Sequence, residues 1–314
     1  MIPVLSDLTY PIIQAPMAGV QGVRLVAAVC RAGALGSLPA AMLSHEQLDQ
    51  ALAALNAECG GAPYNVNFFV HRTPSVSAEQ QAAWLALLQP YFDELGLNPA
   101  DLPQSGGRQP FDEAALQLLE TYKPAVVSFH FGLPAPKLLQ AVKATGAQVW
   151  SSATTVAEAH WLAANGADAI IAQGREAGGH RGWFLNHDTG GQAGTFALLP
   201  QVVCAIDKPV IAAGGISNAA AVRAARALGA AAVQAGTAFL LADEADTRPA
   251  HRAALQSARA EETVVTNLLS GGMARGIPNR LMHELGAVHR RFAVPAGRNR
   301  RRCFENRRRS TRFG

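Results

Sequence analysis

The 314-residue chain predicts a (β/α)8 barrel, and three observations carry that expectation. Short apolar runs alternate with Ala-rich amphipathic stretches eight times over about 250 residues. Polar and Gly-rich residues gather just after those runs, where a barrel builds its chemistry. No GxGxxG follows the first run, which weakens the competing open dinucleotide-binding sheet.

Taken in order, residues 11–15 form the first strand candidate, followed by a helix over about 20–31. Residues 34–37 form the second. Ser44 with Gln47 three residues on makes a capping-box pattern, opening a helix that runs towards Cys59. Tyr64–Phe69 is the third strand, 77–97 a helix, 98–110 a loop by composition, and 111–121 a helix. Residues 125–130 form the fourth strand, with a helix over 134–144. The fifth is 148–152, with a helix over 155–165, and the sixth is Ala169–Gln173. Val210–Ala213 is the seventh, with a helix over 218–228. Residues 231–234 form the eighth, and a last helix lies near 248–259. The stretch from 1 to about 290 reads as one barrel domain.

Composition narrows the function classes. Half the residues are apolar and only 16% are charged, enough for a sizeable core and against disorder. Cys30, Cys59, Cys204 and Cys303 lie far apart with no CxxC. That argues against a disulfide framework or zinc site and fits a reducing compartment. No signal-peptide pattern is apparent, and no apolar run approaches the ~20 residues a membrane span needs. A cytoplasmic protein is expected, without a membrane or nucleic-acid partner, as a monomer or homodimer. The net charge of +4 belongs to the tail: ten of the 27 Lys and Arg residues lie in 290–314, opposed only by Glu305. The rest carries 17 basic against 22 acidic side chains. Such a tail reads either as a disordered or non-native end or as an arm for anionic surfaces.

The residues expected to carry chemistry fall at strand ends. The first strand leads into Gln14, Met17 and Gly19. The third carries Asn65 and Asn67, the fourth ends in His130, and the fifth ends in Ser151-Ser152. The sixth ends in Gln173 and delivers the loop GREAGGHRG, which presents His180. Glycine lets backbone N–H groups approach a ligand closely, and imidazole titrates where proton abstraction near neutral pH needs it. Gly214-Gly215 and Gly236-Thr237 follow the seventh and eighth strands, where barrels hold phosphate on backbone N–H groups. Neither turn contains Lys or Arg. A phosphate there, with carboxamides from Asn67 and Gln173, suggests flavin mononucleotide. Glu176 could orient the loop, accept from a ribityl hydroxyl, or stay solvated.

These pieces resemble the nitronate monooxygenases, formerly called 2-nitropropane dioxygenases. The matching stretches are PIIQAPMAGV (11–20), NVNFF (65–69), SFHFGLP (128–134), AQGREAGGHRG (172–182), PVIAAGGI (209–216) and QAGTAFLLADEA (234–245), spanning about residues 3–290. The resemblance implies an FMN-dependent enzyme that oxidises alkyl nitronates such as propionate 3-nitronate with molecular oxygen. It assigns His180 and His130 to catalysis. It assigns Met17, Asn67, Gln173, Gly178, Gly179, Gly214, Gly215, Gln234, Ala235, Gly236 and Thr237 to FMN. His180 would act either as base on a neutral nitroalkane or as a donor steadying nitronate oxygens.

Two departures stand out. The stretch SGGMARG (270–276) has Gly272 where the family usually has arginine, and Arg275 reads either as an anion partner or as a fork on carbonyls. After Arg290 the family's closing helices give way to an Arg-rich stretch resembling a translated frameshift, expected not to pack from about residue 294. The alternatives are an NAD(P)H-dependent FMN reductase of quinones or enoyl thioesters, and, in another class, a basic-tail binding protein.

Overall fold

The computed structural model describes residues 3–71, 77–101, 109–187 and 191–288. Its strands are β1 (Ile12–Gln14), β2 (Gly36–Pro39), β3 (Tyr64–Phe69), β4 (Val126–His130), β5 (Gln148–Ala153), β6 (Ala169–Gln173), β7 (Gly179–His180), β8 (Val210–Ala213), β9 (Ala232–Ala235), β10 (Val264–Thr266) and β11 (Ala274–Gly276). Eight of them pair in parallel in the order β1-β9-β8-β6-β5-β4-β3-β2. A parallel bridge between Ile13 and Leu35 brings β1 back against β2. The fold is therefore the expected (β/α)8 barrel.

The joint between β1 and β2 is closed largely by side chains. The Gln14 N–H donates to the Leu35 carbonyl (2.9 Å), and the Leu35 N–H to the Ile12 carbonyl (3.0 Å). Beyond that bridge Gln14 Oε1 accepts from the Ser37 N–H (3.0 Å) and Gln14 Nε2 donates to Gln21 Oε1 (2.7 Å). Gln21 Nε2 completes the circuit on the Ser37 carbonyl. Two glutamines thus stand in for missing ladder bonds in a dry seam, where unpaired backbone groups are costly. Gln14→Leu should lower unfolding stability by about 2 kcal/mol, because it strands the Ser37 N–H and Gln21. The midpoint of a denaturant titration reads this, and an unchanged midpoint would refute the seam's role.

Helices α1 (Pro3–Ser6), α2 (Val23–Arg31), α3 (His45–Glu58), α4 (Ala78–Leu95), α5 (Glu113–Tyr122), α6 (Pro136–Ala144), α7 (Val156–Ala164), α8 (Thr195–Ala205), α9 (Ala219–Ala227), α10 (Pro249–Leu255) and α11 (Arg280–Leu285) follow the strands. Ser44 caps α3 with the predicted reciprocal box to Gln47, and Ser77 does the same for α4. Inside the ring, Ile13, Leu35, Val126, Trp150, Ile171 and Ile211 fill the barrel, with Val4, Leu5 and Leu8 packed against them. Burying each such side chain contributes about 1.5–3 kcal/mol. The polar residues lie further along the same strands, towards their C-terminal ends.

The structure corrects several boundaries. The second strand is Gly36–Pro39, two residues later than expected, because its ladder partners are Tyr64 to Asn67. A Cβ at Gly36 would collide with the Val26 carbonyl, so α2 can approach β2 only over a glycine. The helix expected near 248–259 ends at Leu255, and a 3-10 turn (Ala258–Glu261) follows. Residues 98–110 contain a 3-10 turn at Pro99–Asp101, and the rest of that stretch to 108 lies outside the described residues. The sequence reading missed α1, α8, α11 and a small antiparallel sheet of β10, β11 and β7. The Arg-rich tail lies outside the described residues. No helix among those described is long and apolar enough to cross a membrane.

Candidate active site

β6 is buried along its whole length and delivers Gln173 to the mouth of the barrel. The chain then enters β7, which pairs antiparallel with β11, and β11 pairs with β10. His180 therefore projects from a sheet, not from a free loop. It sits opposite Ala274, and the next N–H, from Arg181, donates to the Met273 carbonyl (2.8 Å). Gly179 lies at φ +72°, a region that favours glycine. The imidazole Nε2 is 2.7 Å from the Ser270 hydroxyl. A Cβ on Gly272 would stand 3.3 Å from His180 Cδ2, so the residue that departs from the expected pattern leaves that ring edge uncrowded.

Three side chains fix the segment around β7 from beneath. Gln173 Nε2 donates to the His180 carbonyl (2.9 Å) and its Oε1 accepts from the Gly182 N–H (2.8 Å). Arg181, only 3% exposed, donates to the carbonyls of Gly174 (2.5 Å) and Gln173 (3.0 Å) and to Gln192 Oε1 (2.7 Å). Burial pulls the Arg181 pKa down to about 10, with Arg275 adding repulsion, so it remains a cation at neutral pH. Glu158, 1% exposed on α7, accepts from the Thr154 N–H (2.8 Å) and from the N–H groups of Phe184 (2.7 Å) and Leu185 (3.2 Å). Sequence reasoning missed both charged residues. Glu158 carried a signal, since it stands three residues after the helix-capping Thr155. Arg181 carried none.

Of the roles left open for Glu176, the geometry shows loop orientation. Its carboxylate accepts from the Thr195 N–H (2.7 Å) at the start of α8. There Gly194 at the N-cap offers no side-chain acceptor, and a negative charge suits the helix dipole. A Cβ at Gly194 would be 2.5 Å from Glu176 Oε1. Arg275 takes the carbonyl-fork role, donating to Arg175 O (3.0 Å) and Thr263 Oγ1 (2.9 Å).

His130 lies beside His180 and is committed at both nitrogens. Nε2 donates to the His180 carbonyl (3.2 Å), which leaves Nδ1 to accept from the Ser152 hydroxyl (3.0 Å). Gly182 passes so close that a Cβ there would be 2.6 Å from His130 Cε1. Phe131 and Phe69 pack on His130 with ring centroids 4.6 and 5.7 Å away, and Phe131 holds φ +73°, a strained value for an aromatic residue. Burial pushes the His130 pKa down from 6.5 to about 4. Between those values the unfolded chain binds more protons than the native one, so this ring's contribution is full above pH 6.5 and is lost as pH falls towards 4. His130 as a residue is half-buried, so the loss should be about 1–2 kcal/mol, below the roughly 3 kcal/mol of the whole shift. His130→Phe should flatten the stability curve in that window, and an equally steep acid loss in the variant would contradict this account.

The residues expected to hold a cofactor surround the same mouth. Asn67 Nδ2 donates to the Ser128 hydroxyl (2.9 Å) and carbonyl (3.2 Å). Gln234 Oε1 is buried with no partner among the described residues, and so is Asn65 Oδ1 deeper on β3. Ala235 is buried in β9 and accepts from the Ala15 N–H (2.8 Å). Met17 closes on Gly236, whose added Cβ would be 3.4 Å from the Met17 sulfur. Gly178 faces Thr237, 3.9 Å from an added Cβ to the hydroxyl. Gly214 (φ +119°) and Gly215 (φ +67°) turn over the loop, with Gly214 so close that a Cβ would meet the Ala177 nitrogen at 2.8 Å. Exposed glycines beside an orphaned buried acceptor suit a ligand that brings donors and an anionic group. Among the described residues there is no group of three His, Cys, Asp or Glu that could hold a metal.

With its polar determinants gathered at the C-terminal strand ends of a parallel barrel, the molecule is laid out as a barrel enzyme. Residues 3–303 match the family model described as nitronate monooxygenase. The chain is 42% identical over 284 residues to the nitronate monooxygenase of Pseudomonas aeruginosa, covering 90% of this chain and 81% of that one. It is 41% identical over 280 residues to the nitronate monooxygenase of Paraburkholderia phytofirmans, covering 89% and 76%. Among solved structures it is similar to nitroalkane oxidase from Streptomyces ansochromogenes, with a TM-score of 0.82, 37% identity and coverage of 90% and 81%. The chain belongs to the nitronate monooxygenase family, and it is an oxidoreductase.

Proposed function

We propose that this protein oxidises alkyl nitronates, propionate 3-nitronate among them, with molecular oxygen and a bound FMN. The observation that carries the reading is His180, anchored in a three-stranded sheet at the mouth of a glycine-lined cradle. Met17, Asn67, Gln173, Gly178, Gly179, Gly214, Gly215, Gln234, Ala235, Gly236 and Thr237 are the residues that would hold FMN. The unpartnered Gln234 Oε1 supports that fit, because it needs a donor that the described residues do not supply. When bound, the flavin supplies the electron transfer between substrate and oxygen.

The chain's own residues bind, orient and supply charge. A nitronate arrives already deprotonated, so no base is needed at its carbon. His180 then serves as the donor or cation that steadies the nitronate oxygens, and for a neutral nitroalkane it serves as the base. His130 has spent its proton on the His180 carbonyl. We assign it to holding His180 in place as a neutral ring, and not to proton transfer. Gln173 and Arg181 keep that carbonyl and the preceding turn fixed.

The test is direct. The purified protein should be yellow, its acid-released cofactor should run as FMN, and adding propionate 3-nitronate should start oxygen uptake. A colourless protein that gains no activity with added FMN overturns the proposal, and so does a flavoprotein that consumes no oxygen with any alkyl nitronate.

A further inference from the structure

The bonds from Gln173 and His130 and the pairing with β11 fix the backbone of His180. They leave open how its ring is turned and which ring nitrogen carries the proton. The turn between β10 and β11 settles both. Thr266, Asn267 and Leu268 anchor the start of that turn as buried residues. The Gly271 N–H closes it on the Asn267 carbonyl (2.9 Å), with Gly271 at φ +75°. Ser270 is exposed, so water competes for its hydroxyl, but the turn presents that oxygen already in place. The strand that follows, β11, is the one paired with the strand of His180, so both ends of the contact stand on one sheet. A group held in this way can orient a catalytic neighbour.

Two contacts of Ser270 decide the tautomer. Its hydroxyl donates to the Gly272 carbonyl (3.3 Å), and its oxygen lies 2.7 Å from His180 Nε2. A serine has one hydroxyl proton, and a carbonyl can only accept. Both contacts are hydrogen bonds at once only if the His180 Nε2–H donates to Ser270. The neutral ring then has its proton on Nε2 and its lone pair on Nδ1. Gly272 fits the same pose, because a Cβ there would stand 3.3 Å from His180 Cδ2. With Cδ2 and Nε2 against the turn, Nδ1 lies on the ring edge that faces away from it.

We propose that Ser270 is a positioning residue for His180. It holds the ring with Nε2 protonated, so that Nδ1 is the nitrogen that gains and gives up a proton. The catalytic use of this arrangement rests on the role proposed for His180 above. When His180 acts as base on a neutral nitroalkane, Nδ1 takes the α-proton and the electron pair of that C–H bond stays on the nitronate. When a nitronate binds, the charged ring offers Nδ1–H to it while Nε2–H stays on Ser270. In both cases Ser270 steadies the cation, because a hydrogen bond from a charged N–H is stronger than one from a neutral ring.

The experiment records long-range proton–nitrogen correlation spectra of the flavin-loaded, full-length protein grown with isotope-labelled histidine, at a pH above the imidazole range. The chain has nine histidines, and the His180 signals are those missing from His180→Asn. The expected result is a pyrrole-type nitrogen shift at Nε2 and a pyridine-type shift at Nδ1. In Ser270→Ala the two shifts should move towards the average of the two tautomers. Its kcat/KM for propionate 3-nitronate should fall about 10-fold through the loosened ring, with Tm unchanged because the side chain is exposed. Ser270→Thr, which keeps the hydroxyl, should restore both shifts and rate. A proton on Nδ1 in the parent overturns the proposal. So do parent-like shifts in Ser270→Ala, whatever its activity, and a Thr variant that behaves like the Ala variant. The spectra need no substrate, so these outcomes are read separately from whether the protein oxidises nitronates.

Discussion

His180→Asn should lower kcat/KM for propionate 3-nitronate by about 10²-fold or more, the usual cost of losing a positioned proton-transfer or charge-stabilising group. Fold and cofactor content should be unchanged, because the backbone around His180 carries the structural work. Its carbonyl accepts from Gln173 and His130, and its position is set by pairing with β11. The shorter asparagine amide gives up the Nε2 contact to Ser270 and cannot carry the imidazole's proton or charge. Steady-state kinetics with a flavin absorbance spectrum read both halves. A variant with full activity would remove His180 from the chemistry, and a variant without flavin would make it a structural residue.

Arg181→Met should be the most destabilising single change near the site, costing about 3 kcal/mol. The methionine fills much of the volume but leaves the carbonyls of Gln173 and Gly174 and the Gln192 amide oxygen without their donor in a buried setting. For a protein of this size that is a fall of roughly 5 °C in Tm. Arg181→Lys should recover less than half of it, since a single ammonium cannot span acceptors that the guanidinium fork reaches together. Activity should fall as well, through the loosened carbonyl of Gln173 and the turn that precedes His180. Thermal unfolding of the three proteins checks this, and a Met variant as stable as the parent would show that the buried cation is dispensable.

The barrel was legible because its strands are buried on both faces and read as short apolar runs. Tyr64–Phe69, Ala169–Gln173 and Val210–Ala213 stand where the sequence reading puts them. The glycine turn after β8 was legible for a similar reason, since Gly214 at φ +119° and Gly215 at φ +67° hold values that favour glycine. Other features depend on partners remote in sequence. α8 contains Pro200 and lacks an N-cap side chain, and its acceptor arrives from Glu176 on another loop. β7, β10 and β11 are two or three residues long, too short to show a period of two.

The charged supports Arg181 and Glu158 face backbone groups brought close only by folding, and so does the Gln14–Gln21 seam. His130 is the instructive case. Its position at the end of β4 was readable, but its commitment to Ser152 and to the His180 carbonyl was not. That commitment turns an expected second catalytic imidazole into a proposed positioning residue.

Anaerobic rapid mixing of the purified flavoprotein, once with propionate 3-nitronate and once with NADH or NADPH, tests the central claim most directly. Nitronate should bleach the flavin spectrum within the time of a turnover, oxygen should restore it, and the nicotinamides should leave it unchanged over the same interval. Rapid bleaching by a reduced nicotinamide, with no response to nitronate, would contradict the account and make the protein a reductase.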